Sequence, residues 1–393
     1  MLLYNMFHFN FTKIFPPLLN REIGEFYITA SIQTFAISMI SLFEPLYLFE
    51  LGFSIPQILI FFISIYLMVF FVVPLGGKII NRFGFEHSIF FSVPFCILYF
   101  LTLYLISFYS FFVFIAPIFL VIYKTLYWPS YHANFAKYGT KEQLGKEVSA
   151  LRIIGLLIGV ISPFIGGLII TTFGFNVLFI IISCILFVSV IPLFTTKEKF
   201  ISQKFSYLDC FKRLFSKKNN KSMWKFIGIG EELVDLVLWP IFIFLIIKNY
   251  FIIGGVISLS ILTSIFATLY IGYSFDNGNG KKILRKSLLP YFIFWIIRGF
   301  IKTISGVFVI ELFARIFRSG IIIPLISHTY KTANQYGTLK YAIFFEQSLT
   351  IGKISIAFIA FLLFSIFGTG FWIWSIIFFI AGLYSLLYYV DSK

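Results

Sequence analysis

Runs of apolar residues long enough to cross a lipid bilayer recur along the whole chain, and no other feature restricts its fold as much. Stretches 55–74, 88–106 and 169–193 are almost wholly apolar. A helix needs roughly 20 such residues to cross the hydrocarbon core, whereas the apolar run of a soluble core helix stops after about 10–14. Hydrophobic residues make up 60% of the 393 positions and charged residues only 12%, about half the charged share of an ordinary soluble domain. A water-soluble fold cannot hide that much apolar surface. The expected fold is all-α: a polytopic membrane protein of about twelve transmembrane helices in two pseudo-symmetric six-helix bundles. The runs place spans near 24–49, 55–78, 87–107, 110–134, 147–171, 174–194, 223–248, 251–274, 285–303, 306–329, 340–366 and 370–390.

The net charge of +15 does not mark a nucleic-acid face, because Lys and Arg are not pooled. They fall between apolar runs: Lys78 and Arg82, Lys137, Lys141 and Lys146, densely from Lys197 to Lys225, then Lys281, Lys282, Arg285 and Lys286, and Lys331 and Lys340. Alternate turns near 51–54, 106–110, 172–175 and 366–370 carry none. The positive-inside rule puts the basic turns in the cytoplasm, so both termini are expected there, in a multi-pass protein of the plasma membrane. Arg298 and Lys302, near the outer end of the ninth span, resist this pattern. Cys96, Cys184 and Cys210 cannot build a disulfide framework and read as packing residues. Residues 1–22 lack the core of a signal peptide and, with Phe7, Phe9, Phe11 and Phe15, suit an interfacial segment. The basic stretch 195–222 reads as a cytoplasmic linker against anionic lipid, dividing a first bundle at 1–194 from a second at 223–393.

The two halves resemble each other. Gly77, Asn81 and Arg82 follow the second span, and Gly272, Asp276 and Asn277 follow the eighth at the spacing that also separates Pro129 from Pro324. Tyr138-Gly139-Thr140 returns as Tyr336-Gly337-Thr338 after a short insertion. Landmarks repeated in matching turns point to a parallel duplication, the arrangement of two bundles that rock about a shared central site.

Two stretches carry recognisable patterns. The turn after the second span contains Gly77, Asn81, Arg82 and Gly84; the turn after the eighth contains Gly272, Asp276, Gly280, Lys281 and Lys282. Gly permits a tight turn at the membrane face, and charges there can latch neighbouring helices. The fifth span contains Gly155, Gly159, Ser162, Pro163, Gly166 and Gly167, small residues that let helix backbones approach closely in lipid, with a Pro that can bend the span. Both patterns resemble signatures of the major facilitator superfamily. The loop signature there has a Gly, an acid four positions on, an Arg, a further Gly and basic residues. Here Asn81 replaces the acid in the first copy, and the second keeps Asp276 and the Lys pair without the Arg. The fifth-span signature runs Gly-Pro-x-x-Gly-Gly, with Ser162 standing here for the first Gly. The resemblance implies two rocking bundles, a loop that steadies one conformational state, and a fifth-span motif associated with proton-driven exporters. The family's fourth-span Arg motif has no match, and Lys124 is the basic residue of that region.

A charge at the bilayer centre costs about 2.5–3.5 kcal/mol on insertion scales, so each needs a partner, a wet cavity or a function. The candidates are Glu44, Lys124, Glu231, Glu232, Asp235, Glu311, Arg315, Arg318, Glu346 and Lys353. Glu311 and Arg315 are spaced to pair on one helix, as are Glu346 and Lys353 two turns apart. The seventh-span acids have no cation on their own helix and are expected to reach Arg315, Arg318 or Lys353. Within the arrangement the resemblance implies, the first, fourth, seventh and tenth helices surround the path, and Glu232 or Asp235 is the group that exchanges a proton. Trp128 and Trp239, each before a Pro, offer aromatic faces to a solute, although general packing explains them as well. His132 and His328 read as hydrogen-bonded residues rather than ligands. No phosphate loop, zinc-ligand spacing or Ser/His/Asp arrangement stands out.

These readings favour a secondary transporter, not an enzyme, with no cofactor or metal. It is expected to work as a monomer in the bilayer on a small-molecule solute, with proton-coupled export as the favoured subtype. The alternatives are a lipid-modifying membrane enzyme using Glu231, Glu232, Asp235 or His132, and a scaffold or receptor without flux.

Overall fold

The structure is a computed structural model, and it describes residues 21–138, 144–194, 200, 202, 205–274 and 278–391. The interfacial segment up to residue 20, Lys197, Lys199 and Lys204 of the linker, the Gly139-Thr140 landmark and Asp276 lie outside the described residues, as does the side chain of Arg152.

Among the described residues the chain forms twelve helical spans. α1 is Arg21–Ser41, resumed after Leu42 and Phe43 as Glu44–Glu50. Pro45 explains the break, since it has no N–H to offer the carbonyl one turn back. α2 is Ile55–Phe83, α3 Phe85–Ile106 and α4 Phe112–Tyr138. α5 and α6 are the two limbs of the run Leu144–Ser189, which reverses at Gly174 with φ 82°. A linker helix, Tyr207–Leu214, precedes α7, which begins with Asn220–Ile227 and ends with Trp239–Ile247. α8 is Tyr250–Ser274, α9 Gly280–Arg298, α10 Ile304–Tyr336, α11 Thr338–Phe367 and α12 Phe371–Leu386. The ninth span starts earlier than its apolar run, because helix continues past the hydrocarbon into an exposed turn bearing Lys281, Lys282 and Arg285.

Both faces of most spans are apolar. On α2, Ile58, Ile65, Val69 and Val73 are buried while Ile60, Leu67, Phe71 and Leu75 are exposed on the outside. A helix apolar all round belongs in lipid. Eight helical runs are long and apolar enough to cross a membrane, one of them covering both α5 and α6. The helices outside that set are α7, α9 and α10, and all three carry buried charges.

The halves α1–α6 and α7–α12 meet along α2 with α11 and α5 with α8, while α4 also meets α10 and α11. Small residues set these approaches. A Cβ on Gly167 would strike the Tyr250 carbonyl oxygen, and one on Gly254 the Pro163 carbonyl oxygen, so α5 and α8 touch backbone to backbone. Gly166 packs in the same way on Met39 of α1. Gly155 faces open space, Gly159 makes ordinary contact with Ile261, and the Ser162 hydroxyl donates to the Ile158 carbonyl at 2.8 Å. The fifth-span pattern is thus a packing surface, half of it across the two bundles.

Candidate functional site

The acids of α7 stand where its hydrogen-bond ladder changes. Glu231–Leu233 is α-helical, Val234–Leu238 widens into a π turn, and Trp239 restarts the α-helix. Pro240 accounts for the widening, because the Leu236 carbonyl one turn back has no N–H to accept from. Close approach of α11 holds this segment, since a Cβ on Gly230 would meet the backbone of Gly352.

Four carboxylates face four cations in one cluster drawn from α7, α9, α10 and α11. Asp235 accepts from Arg298 at 2.7 Å and from Arg318 at 3.3 Å. Glu232 accepts from Arg318 at 2.6 Å and pairs with the Lys353 ammonium at 3.1 Å. Glu311 takes Arg315 at 2.5 Å, Arg298 at 3.3 Å and the Trp239 indole N–H at 2.5 Å. Glu231 is fully buried and accepts from the hydroxyls of Tyr291 at 3.0 Å and Tyr388 at 3.2 Å, with the Arg318 Nε at 3.8 Å. The Arg298 guanidinium lies over the rings of Trp295 at 4.1 Å and Trp239 at 4.6 Å. Charges survive in low dielectric only when each is paired and hydrogen-bonded, and this cluster meets that condition. Its rim is more open: Glu232 keeps 28% and Arg315 31% of side-chain exposure.

The expected partners for the α7 acids are therefore in place, with two differences. Lys353 pairs with Glu232 rather than with Glu346 on its own helix. Glu346 instead meets His132 of the other half, its carboxylate 3.2 Å from the His132 Nε2. The opposite ring nitrogen contacts the Tyr330 hydroxyl at 2.8 Å, so one side chain of α4 bridges α10 and α11. Trp128 stacks on His132 with centroids 5.7 Å apart, and Phe135 packs on Tyr330 at 4.8 Å. At the far end of the bundle, Phe49 of α1 meets Phe244 of α7 at 6.5 Å, and Phe43 meets Tyr250 at 6.0 Å. The halves touch at both ends.

Within the first half, Glu44 accepts from the Tyr99 hydroxyl at 2.5 Å. Lys124, midway along α4, is 5.2 Å from the Tyr66 ring centroid, and Lys353 reaches the same ring at 5.2 Å from the other half. Arg82 is exposed over the Phe83 ring at 5.4 Å and makes no ion pair among the described residues, and Lys281 and Lys282 are exposed. Gly77 matters sterically, since a Cβ there would collide with Ile343 of α11 and Phe205 of the linker. Gly84, at φ 96°, turns the chain from α2 into α3. Gly272 lies in the last turns of α8 and Gly280 opens α9.

Sequence reading passed over Arg298, Tyr291, Tyr388 and Tyr66. The signal for the first was present: Tyr291, Trp295 and Arg298 recur at helical spacing on one face, and a cation at the wrong end of a span asks for a buried acid.

No family profile matches the chain, and no curated protein does. Solved structures do match. The crystal structure of the E. coli fucose:proton symporter FucP superimposes with a TM-score of 0.68 at 12% identity, covering 95% of this chain and 98% of that one. A second structure, FucP described as a major facilitator superfamily transporter in the outward conformation, gives a TM-score of 0.67 at 11% identity over 95% and 98%. Identity that low speaks to architecture alone, and the architecture agrees with the twelve spans, the two halves and their contacts. This multi-pass membrane chain has the major facilitator superfamily fold.

Proposed function

We propose that the protein is a secondary transporter that carries a small solute by alternating access of a central site, working as a monomer and without cofactor or covalent chemistry. The observation that carries this reading is the cluster itself. Ionised groups at hydrocarbon depth are retained where they serve a path, and these are gathered in one largely buried cluster within the second half, not spread over the outer wall. The domain division at 195–222, with both termini cytoplasmic, belongs to the same proposal. It puts the His132 bridge at the cytoplasmic end and the α1–α7 aromatic contacts at the outer end.

Proton-driven export is the mode we favour. The small-residue surface of α5 supports it through its resemblance to the exporter motif, and the partial exposure of Glu232 and Asp235, 28% and 21%, suits groups that exchange a proton. FucP, whose fold is shared, is a proton symporter, so coupling to protons suits the scaffold in either direction. Reconstituted liposomes with an internal pH dye test the proposal. Solute-dependent proton movement in the wild type, lost in Asp235→Asn, is the expected result. Flux that persists when α4 and α10 are cross-linked through Cys at positions 135 and 330 would sink alternating access.

A further inference from the structure

In the ionic cluster the donors outnumber the acceptors that answer them. Every carboxylate oxygen of Glu231, Glu232, Asp235 and Glu311 is engaged by an Arg, Lys, Tyr or Trp donor. The donors are not exhausted. The Nε–H groups of Arg298, Arg315 and Arg318 and the indole N–H of Trp295 are buried without an acceptor among the described residues. Each carboxylate oxygen of the cluster is already met by a donor, while these N–H groups have no acceptor among the described residues, so the site has donors to spare for an anion.

Lys124 adds net charge to that surplus. It lies midway along α4, half-buried, and forms no ion pair among the described residues; its ammonium lies over the face of Tyr66. The nearby carboxylate of the first half, Glu44, is held by the Tyr99 hydroxyl. Tyr66 also receives Lys353, whose own charge is met by Glu232. Two ammonium groups from opposite halves therefore converge on one ring, and among the described residues only Lys353 is in ion-pair contact with a carboxylate.

We infer that the transported solute carries an anionic group, a carboxylate in the simplest case, and that Lys124 is the residue that receives it, with Tyr66 as its floor. The inference rests on the transport reading and names the substrate class for that site. A carboxylate at Lys124 would meet a cation that has no ion-pair contact among the described residues, beside the ring that Lys353 of the other half also reaches.

The test uses the full chain in liposomes and in detergent, with a panel of small carboxylates, the matched neutral amides and the matched amines. Uptake or counterflow and ligand-induced thermal shift are read for each. The inference expects at least one carboxylate to bind and move while its amide does not. It expects Lys124→Gln to weaken that binding about tenfold or more, and Lys124→Arg to retain most of it. The amide comparison needs only the wild type, so a poorly folding variant does not spare the idea. Transport of amides or amines in preference to acids, or acid transport unchanged in Lys124→Gln, overturns the inference and leaves the transporter standing. No binding and no flux of any class across the panel overturns both.

Discussion

Arg298 is the residue whose removal tests the ionic cluster most cleanly. Its side chain is 3% exposed, and it joins Asp235 at 2.7 Å to Glu311 at 3.3 Å between two indole rings. Arg298→Gln keeps a polar chain of similar reach and deletes the charge. Asp235 would retain Arg318, and Glu311 would retain Arg315, but the cluster would hold four carboxylates against three cations in low dielectric. Breaking a buried pair in this way costs about 3–5 kcal/mol. Scaled to a chain of 393 residues, that corresponds to a fall in melting temperature on the order of 5 °C. The reasoning makes a second demand. Arg298→Gln combined with Glu311→Gln restores the balance, so the double variant should recover at least half the loss, a coupling that two independent defects would not give. Thermal unfolding of the purified protein in detergent, followed by tryptophan fluorescence and by aggregation, measures both. A single variant as stable as the wild type, or a double variant at the sum of two losses, would refute the claim that charge balance holds the cluster together.

Other outcomes follow from separate parts of the molecule. His132→Ala removes both cross-half bonds at the loop-motif end; it should raise the population open at that end about fivefold to tenfold, on the order of 1–1.5 kcal/mol, read as spin-label distances between α4 and α10. Gly167→Leu forces a side chain into the Tyr250 backbone and should cut flux about tenfold or more while leaving the first half folded, as tested by transport and limited proteolysis. In the linker helix, burial pushes the Cys210 thiol up to about 11. The thiolate is the reactive form, so Cys210 should alkylate about a hundredfold slower at neutral pH than a peptide thiol and speed up as pH rises toward that value, with mass spectrometry separating it from Cys96 and Cys184.

What could be read from the chain beforehand follows from which forces act locally. Spans are legible because a lipid environment selects for apolar length, and α2, α3 and α11 emerge near their apolar runs. Glu311 and Arg315 were expected to meet because helix geometry alone brings i and i+4 together. Glu346 and Lys353 share a helix face by the same geometry, yet each finds a nearer partner on another helix, His132 or Glu232, which spacing cannot reveal. Arg298 was hidden for a related reason: its partners are on α7 and α10, and seen from α9 alone it is only a cation in the wrong loop. The loop signature is a different case: its acid, Asp276, lies outside the described residues, and Gly77 makes a steric contact with Ile343 that residue types alone do not announce.

The distribution of contacts bears on how two halves could rock without unfolding. The strong contacts, charge against charge at low dielectric, lie within the second half, between α7, α9, α10 and α11. Those that cross between halves are of a softer kind: Lys353 on Tyr66, His132 with Glu346 and Tyr330, Gln347 on the Phe70 carbonyl at 3.5 Å, and aromatic pairs at the two ends. A cation–π contact or a hydrogen bond between part-buried side chains is worth about 0.5–1.5 kcal/mol, a fraction of what a broken ion pair in the cluster would cost. A rocking motion that exchanges one end's contacts for the other's would therefore leave the ion pairs of the α7–α9–α10–α11 cluster intact. Had the α7 acids drawn their partners from α1 or α4, each half-cycle would have separated ions inside the bilayer. Placing the ion-paired cluster in one bundle would keep the barrier to such a motion low, while the first bundle contributes only Glu44 and Lys124 among the expected intramembrane charges.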